Sequence, residues 1–236
     1  MAKIVLSLLG AVVFFTSSTQ QETNKAALLL EKFKASHAYV IDFSRSFIAK
    51  AGSKKPVDQR KAIKPKEVSV LGASSIRPDV PSIKLPDDVL DMIWHETSKE
   101  GINYFMFLGL IKAESNFDGH TVYHNDNGTS DYGLVQMNSR NVSRLAKEIE
   151  VAKIDVFNPQ HNVLLGIEEL IECRAYWEGE YEGKQLEKAM LLAYNRGRAG
   201  SKKWIDNKGV LDSAYTKKVL KYKQQFEHEA QLAQSQ

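Results

Sequence analysis

Apolar residues are distributed along the chain in two regimes. From Ile4 to Phe15 they run on with only Ser7 and Gly10 intervening, preceded by Lys3 and followed by Thr16, Ser17, Ser18 and Thr19. That is the layout of a secretory signal peptide, and the run falls short of the roughly 20 apolar residues that a membrane-spanning helix requires. Residues 1–19 are therefore expected to be a signal peptide, with an uncleaved short anchor as the alternative. Over Asn24 to Lys50 the pattern becomes periodic. Leu29, Phe33, Ser36, Val40, Phe43 and Phe47 recur along one helical face, which predicts an N-terminal amphipathic helix within 20–50.

Between residues 51 and 85 the periodicity disappears. Pro56, Pro65, Pro78, Pro81 and Pro86 cluster there and at its edge among Lys54, Lys55, Arg60, Lys61, Lys64 and Lys66, a composition that predicts a basic, proline-stiffened linker. After Pro86 helical signals dominate. Asp87 and Asp88 open a helix whose apolar face carries Val89, Leu90, Ile93 and Trp94 and which Gly101 ends. A second helix is expected from Phe105 to about Asn116, and others at about 139–150, 159–177, 184–195 and 212–231. His124-Asn125-Asp126-Asn127-Gly128 favours a tight hairpin turn. The fold class that follows is mostly α (α+β): a helical domain over 86–228 with one small β-hairpin, then a tail over 229–236.

Composition narrows the classes further. The chain has 236 residues, 43% hydrophobic and 26% charged, which suits a globular domain and excludes collagen-like, wholly disordered and polytopic membrane classes. A single cysteine, Cys173, excludes an internal disulfide framework and any multi-cysteine metal cluster. In Leu170-Ile171-Glu172-Cys173 it is expected to be a buried small hydrophobe. The formal charge of +3 is uneven, net +8 over residues 1–85 against −5 over 86–236. The basic first third therefore suggests an anionic surface or a protein partner, with no specific nucleic acid indicated. His95-Glu96-Thr97-Ser98-Lys99 begins like a zinc-protease helix, but Lys99 stands where the second ligand belongs. No metal or other cofactor is expected.

The candidate chemistry lies in the second helix and the segment after it. Phe107, Leu110 and Ile111 make an apolar stripe, and the next position on that stripe is Glu114. A carboxyl placed where a hydrophobe belongs has its ionised form disfavoured and its pKa raised, as a general acid near neutral pH requires. A second carboxyl, Asp131, follows polar turn residues in Gly128-Thr129-Ser130-Asp131-Tyr132-Gly133. It is either a turn cap or a charge facing the site. One carboxyl in apolar and one in polar surroundings is an arrangement that glycoside chemistry uses.

Glu114-Ser115-Asn116-Phe117 followed by Ser130-Asp131-Tyr132-Gly133-Leu134-Val135-Gln136-Met137-Asn138 resembles the core of the lysozyme-like soluble lytic transglycosylases, and of the hen egg-white type of lysozymes. Asn158-Pro159-Gln160-His161-Asn162-Val163 with Gly166 is similar to the family's Asn-rich helix entry. Ala193-Tyr194-Asn195-Arg196-Gly197 matches the transglycosylase Ala-Tyr-Asn-x-Gly motif, which the hen-type enzymes lack, and a weaker echo follows at Tyr215 and Val219. The resemblance covers about residues 86–225 and implies a lysozyme-like fold.

It further implies that Glu114 is the sole acid/base and that Ser115, Gln136, Tyr194 and Asn195 line a saccharide groove. The implied activity is a non-hydrolytic cut of the β-1,4 bond between N-acetylmuramic acid and N-acetylglucosamine, leaving a 1,6-anhydro end. The expected partner is peptidoglycan, and the expected location is the periplasm or cell envelope, or a virion for a phage protein. Asp131-Tyr132 departs from the usual Gly-Ala pair, and Val135 from the usual Met. Two alternatives therefore stand beside the first: a hydrolytic muramidase using Glu114 and Asp131, and a weakly catalytic wall-binding component of a phage particle or secretion apparatus.

Overall fold

The computed structural model describes residues 4–8, 11–15 and 76–235. The expected helix over 20–50 and most of the linker lie outside the described residues. The chain divides into two units, 1–69 and 70–236. In the first, β1 (Ile4–Leu8) and β2 (Ala11–Phe15) pair antiparallel, Ile4 opposite Phe15 and Leu8 opposite Ala11. The apolar run that resembles a signal peptide thus forms a two-stranded antiparallel ladder.

The second unit is mostly helical. Six helices lie among its described residues: α1 (Asp87–Lys99), α2 (Tyr104–Glu114), α3 (Ser139–Glu148), α4 (Pro159–Trp177), α5 (Gly183–Lys208) and α6 (Ala214–Gln234). Between α2 and α3 runs a three-stranded antiparallel sheet in the order β3 (Val122–His124), β4 (Ser130–Tyr132), β5 (Met137–Asn138). The expected mostly α architecture with a small β element is the one observed.

Local chemistry explains the boundaries. α1 carries Asp87 and Asp88 in its first turn and Lys99 in its last, complementing the helix dipole. Arg77 forks onto it, 2.8 Å from Asp87 and 2.7 Å from Asp91. Asn103, Asn138 and Asn158 cap α2, α3 and α4 by accepting backbone N–H groups, and Ser213 with Thr216 forms a capping box at α6. α2 ends at Glu114, short of the expected Asn116, because Asn116 and Phe117 adopt left-handed φ of 55° and 68°. α5 extends well past the expected residue 195. It continues to Lys208 across an interruption at Gly197, where φ is 69° and ψ 159°.

α2 is the axis of the core. Met106, Phe107, Leu108, Leu110 and Ile111 are all fully buried, so this helix is apolar on every side and enclosed by its neighbours. Its closest approach is to α6. A Cβ on Gly109 would lie 2.7 Å from the Val219 carbonyl and 3.1 Å from the Lys223 nitrogen, so only glycine permits the two backbones to pack at this distance. That contact brings Tyr215, one turn before Val219, level with the end of α2.

Two stretches grouped by composition with linker and tail belong to this core. Val80 and Ile83 are 4% and 6% exposed and pack into it, and Ser82 hydrogen-bonds Glu229. α6 runs on to Gln234 with Phe226 and Ala230 buried. Proline and lysine content marks the chain from 51 onward as extended, but two apolar residues at a three-residue spacing suffice to lay 76–85 against the domain.

Candidate active site

Glu114 is the last residue of α2 and is half-buried. Burial pushes its carboxyl up to about 7. The nearby charge of Asp131 acts in the same direction, while a hydrogen bond from Tyr215 and the charge of Lys218 oppose it. The Tyr215 hydroxyl donates to Oε1 at 2.5 Å, and Lys218 donates to the Ala113 carbonyl at 2.9 Å. Tyr215 and Tyr194 both have their phenol pKa raised, by burial first and then by the Glu114 charge. Both therefore remain neutral donors beside the carboxyl.

Asp131 is set differently. Both of its oxygens are held by side-chain amides: Asn125 Nδ2 donates to Oδ2 at 2.9 Å, and Asn138 Nδ2 donates to Oδ1 at 2.7 Å. Thr129 completes the cluster, its hydroxyl accepting from Asn125 and Asn138 and donating to Asn127. Across the sheet Asp131 stands opposite Tyr123, which is 62% exposed, and opposite Asn138. Paired residues of an antiparallel ladder share one face, so Tyr123 and Asp131 stand on the same face of the sheet.

The two carboxyls are linked by the tight turn Gly133-Leu134-Val135-Gln136, whose backbone groups are claimed by side chains from the end of α2, from α4 and from α5. Ser115 donates to the Leu134 carbonyl at 2.8 Å, and Tyr194 of α5 donates to the Val135 carbonyl at 2.8 Å. Asn162 of α4 accepts the Val135 N–H at 2.9 Å and donates to the Tyr132 and Val156 carbonyls. Gln136, at a left-handed φ of 48°, donates to the Thr121 and Gly133 carbonyls at 3.0 Å each. Gly133 has φ 74°, and a Cβ there would meet Asn162 Nδ2 at 2.6 Å. Left-handed backbone at Asn116, Phe117 and Gln136 costs on the order of 1–3 kcal/mol each, and this web of bonds holds it in place.

Of the residues singled out from the sequence, Asp131 lies near enough for its charge to act on Glu114, and Tyr194 responds to both. Ser115 is 7% exposed with its hydroxyl turned to the Leu134 carbonyl. Gln136 is half-buried and keeps only its amide oxygen uncommitted. Asn195 is exposed and faces a separate pocket on α5. Sequence reasoning gave Tyr215 too little weight and overlooked Lys218, Asn125 and Asn138 as partners. The position of Tyr215 on the α6 face that carries Val219 was the available signal.

Cys173 is fully buried and burial raises its thiol pKa. Among the described residues no group of three or more His, Cys, Asp or Glu side chains could hold a metal ion, and no helix is long and apolar enough to cross a membrane.

Several solved structures resemble the chain. The 70 kDa soluble lytic transglycosylase of Escherichia coli matches with 17% identity and a TM-score of 0.47, over 58% of this chain and 24% of that one. An inactive mutant of the lytic transglycosylase Slt from Pseudomonas aeruginosa matches with 16% identity and a TM-score of 0.46, over 56% and 22%. The chain thus spans about a quarter of their length. No curated protein matches it in sequence. The family model described as the transglycosylase SLT domain matches residues 91–216, more than half of the chain, from within α1 to the first turn of α6. The chain belongs to the transglycosylase SLT domain family.

Proposed function

We propose that this protein is a peptidoglycan lytic transglycosylase in which Glu114 is the only acid/base. The observation that carries the reading is Glu114, a buried carboxyl placed to give and take a proton in a chain of the transglycosylase SLT domain family. Glu114 is pushed up to about 7 and oriented by Tyr215 through one oxygen, while both oxygens of Asp131 are engaged by Asn125 and Asn138. Protonated Glu114 gives its proton to the bridging oxygen of the β-1,4 bond between N-acetylmuramic acid and N-acetylglucosamine. The resulting carboxylate takes the proton from the muramic C6 hydroxyl as that oxygen closes on C1. One proton leaves Glu114 and one returns, no water is consumed, and the new end is a 1,6-anhydromuramic residue.

A retaining muramidase would instead use a second carboxylate facing C1, and a carboxylate held by amide donors, as Asp131 is, is compatible with that role, so the products decide between the two readings. Ser115, Gln136, Tyr194 and Asn162 are assigned the rigid turn between the two carboxyls, and Tyr123 an aromatic surface on which a sugar ring can lie. The N-terminal unit is assigned to export and to location at an anionic surface, since the positive charge lies there and the site does not. Mass spectrometry of the products from purified sacculi tests the activity: 1,6-anhydro ends are expected, and reducing ends would move the protein to the muramidases.

A further inference from the structure

Glu114 sits where a helix is least hospitable to a negative charge. It closes α2, and the carbonyls of a helix's last turn have no intrahelical donors and form the negative end of its dipole. The N–H groups that follow go elsewhere. Ser115 donates to the Ile111 carbonyl and Asp118 to the Ser115 carbonyl, while Asn116 and Phe117 turn left-handed. The Ala113 carbonyl, part of the peptide unit that carries Glu114, is met from outside the helix: Lys218 of α6 donates to it at 2.9 Å. Lys112, the cation in the last turn of α2 itself, lies instead over the Phe117 ring, 5.7 Å from its centre. Lys218 follows Tyr215 by three residues, so both reach α2 from one face of α6, and Tyr215 donates to the Glu114 carboxyl at 2.5 Å. The next residue, Val219, has its carbonyl 2.7 Å from where a Cβ on Gly109 would lie. Backbone contact thus fixes the spacing across which both side chains reach.

We propose that Lys218 is a positioning residue for the acid/base: it fastens the Ala113–Glu114 peptide while Tyr215 fastens the carboxyl, and it sets an ammonium charge against the carboxylate that forms when Glu114 gives up its proton. The inference rests on the reading of Glu114 as the acid/base. A hydrogen bond from a charged donor is stronger than one between neutral groups, and a cation on a C-terminal carbonyl offsets the dipole that disfavours a carboxylate there. Around Glu114, Lys218 and Tyr215 of α6 favour the charged form, burial and Asp131 of β4 oppose it, and Tyr194 of α5 is a neutral phenol. Lys218 is exposed, so water screens its charge and the effect is smaller than that of burial. It acts through Glu114, easing release of the proton to the bridging oxygen and keeping the carboxylate in place to receive the next one.

The test uses the full chain and three variants: Lys218→Met, which removes donor and charge at similar length; Lys218→Arg, which keeps both; and Lys217→Met, which removes a neighbouring charge that acts on Asp212 instead. Each is assayed on sacculi across pH, and the Glu114 carboxyl is titrated by NMR in carbon-13-labelled protein, its signal assigned by its loss in Glu114→Gln. On the plateau below about pH 6, where Glu114 is protonated, Lys218→Met should lower kcat about three- to tenfold with KM unchanged. Its alkaline limb and its carboxyl titration should both move upward, because a positive charge that favoured the carboxylate is gone. Lys218→Arg should restore all three, and Lys217→Met should match the parent. A carboxyl titration that stays in place in Lys218→Met, even with a lowered melting temperature, would leave Lys218 a merely structural contact and overturn the proposal. An equal shift in Lys217→Met would overturn it too, since net charge on α6 would then be the cause. If the parent cuts no sacculi, the glycan-cleaving reading fails on its own, and the carboxyl titrations alone decide whether Lys218 governs Glu114.

Discussion

Glu114 and Asp131 carry the same functional group in opposite surroundings. Glu114 closes the most apolar helix of the domain, with burial around its carboxyl and a hydrogen bond from Tyr215 on one oxygen. Asp131 lies on a short strand among Asn125, Thr129 and Asn138, with donors on both oxygens. Burial that outweighs the Tyr215 hydrogen bond pushes the Glu114 carboxyl up to about 7, whereas amide donors favour and orient the carboxylate form. The difference can be broken from either side.

Breaking it at Glu114 should have the largest effect. Glu114→Gln keeps the shape and the bond from Tyr215 but has no transferable proton, so turnover should fall about 100- to 10,000-fold in a sacculus-solubilisation assay while glycan binding survives. Stability should move the other way. The folded state binds the Glu114 proton more tightly than the unfolded state, so the contribution of this group is complete below about 4.5 and is lost as pH rises to about 7. Glu114→Gln should therefore melt like the parent protein at pH 4 and above it at pH 8, by at most about 3 kcal/mol.

Much of this contrast was legible in the sequence. Glu114 interrupts an apolar stripe at helical spacing, and Asp131 follows a run of turn formers, so burial of one and solvation of the other could be anticipated from neighbours within a few residues. What holds them was less legible, because it comes from far along the chain. Tyr215 reaches Glu114 from 101 residues away, and Asn162 clamps Val135 from 27. The first depends on Gly109 letting α6 approach α2, and the second on Gly133 leaving room for an amide. In neither case does the local pattern announce the partner. Ser115 shows the opposite difficulty: its place beside Glu114 suggests a groove residue, while tertiary packing turns its hydroxyl to Leu134. Val80 and Ile83 were obscured because proline and lysine around them outweigh two apolar residues in any compositional window.

Removing the Tyr215 hydroxyl sharpens the comparison with a smaller effect. Its hydrogen bond favours the carboxylate form of Glu114, so Tyr215→Phe should shift the alkaline limb of the pH–rate profile upward. Turnover at pH 7 should fall about two- to tenfold through loss of orientation. A profile that does not move would place the titration on another group.

The smallest effect is expected at Asp131, and there the central claim is most exposed. Asp131→Asn preserves size and leaves the turn cluster able to hydrogen-bond, but removes the only carboxylate that could assist Glu114 from the sheet. Activity on sacculi, with the ends identified by mass spectrometry, is the measurement. If Glu114 acts alone, Asp131→Asn keeps a substantial part of the parent turnover and its products end in 1,6-anhydromuramic acid. A loss as deep as that of Glu114→Gln, together with reducing ends from the parent protein, would contradict the account and make the pair a muramidase.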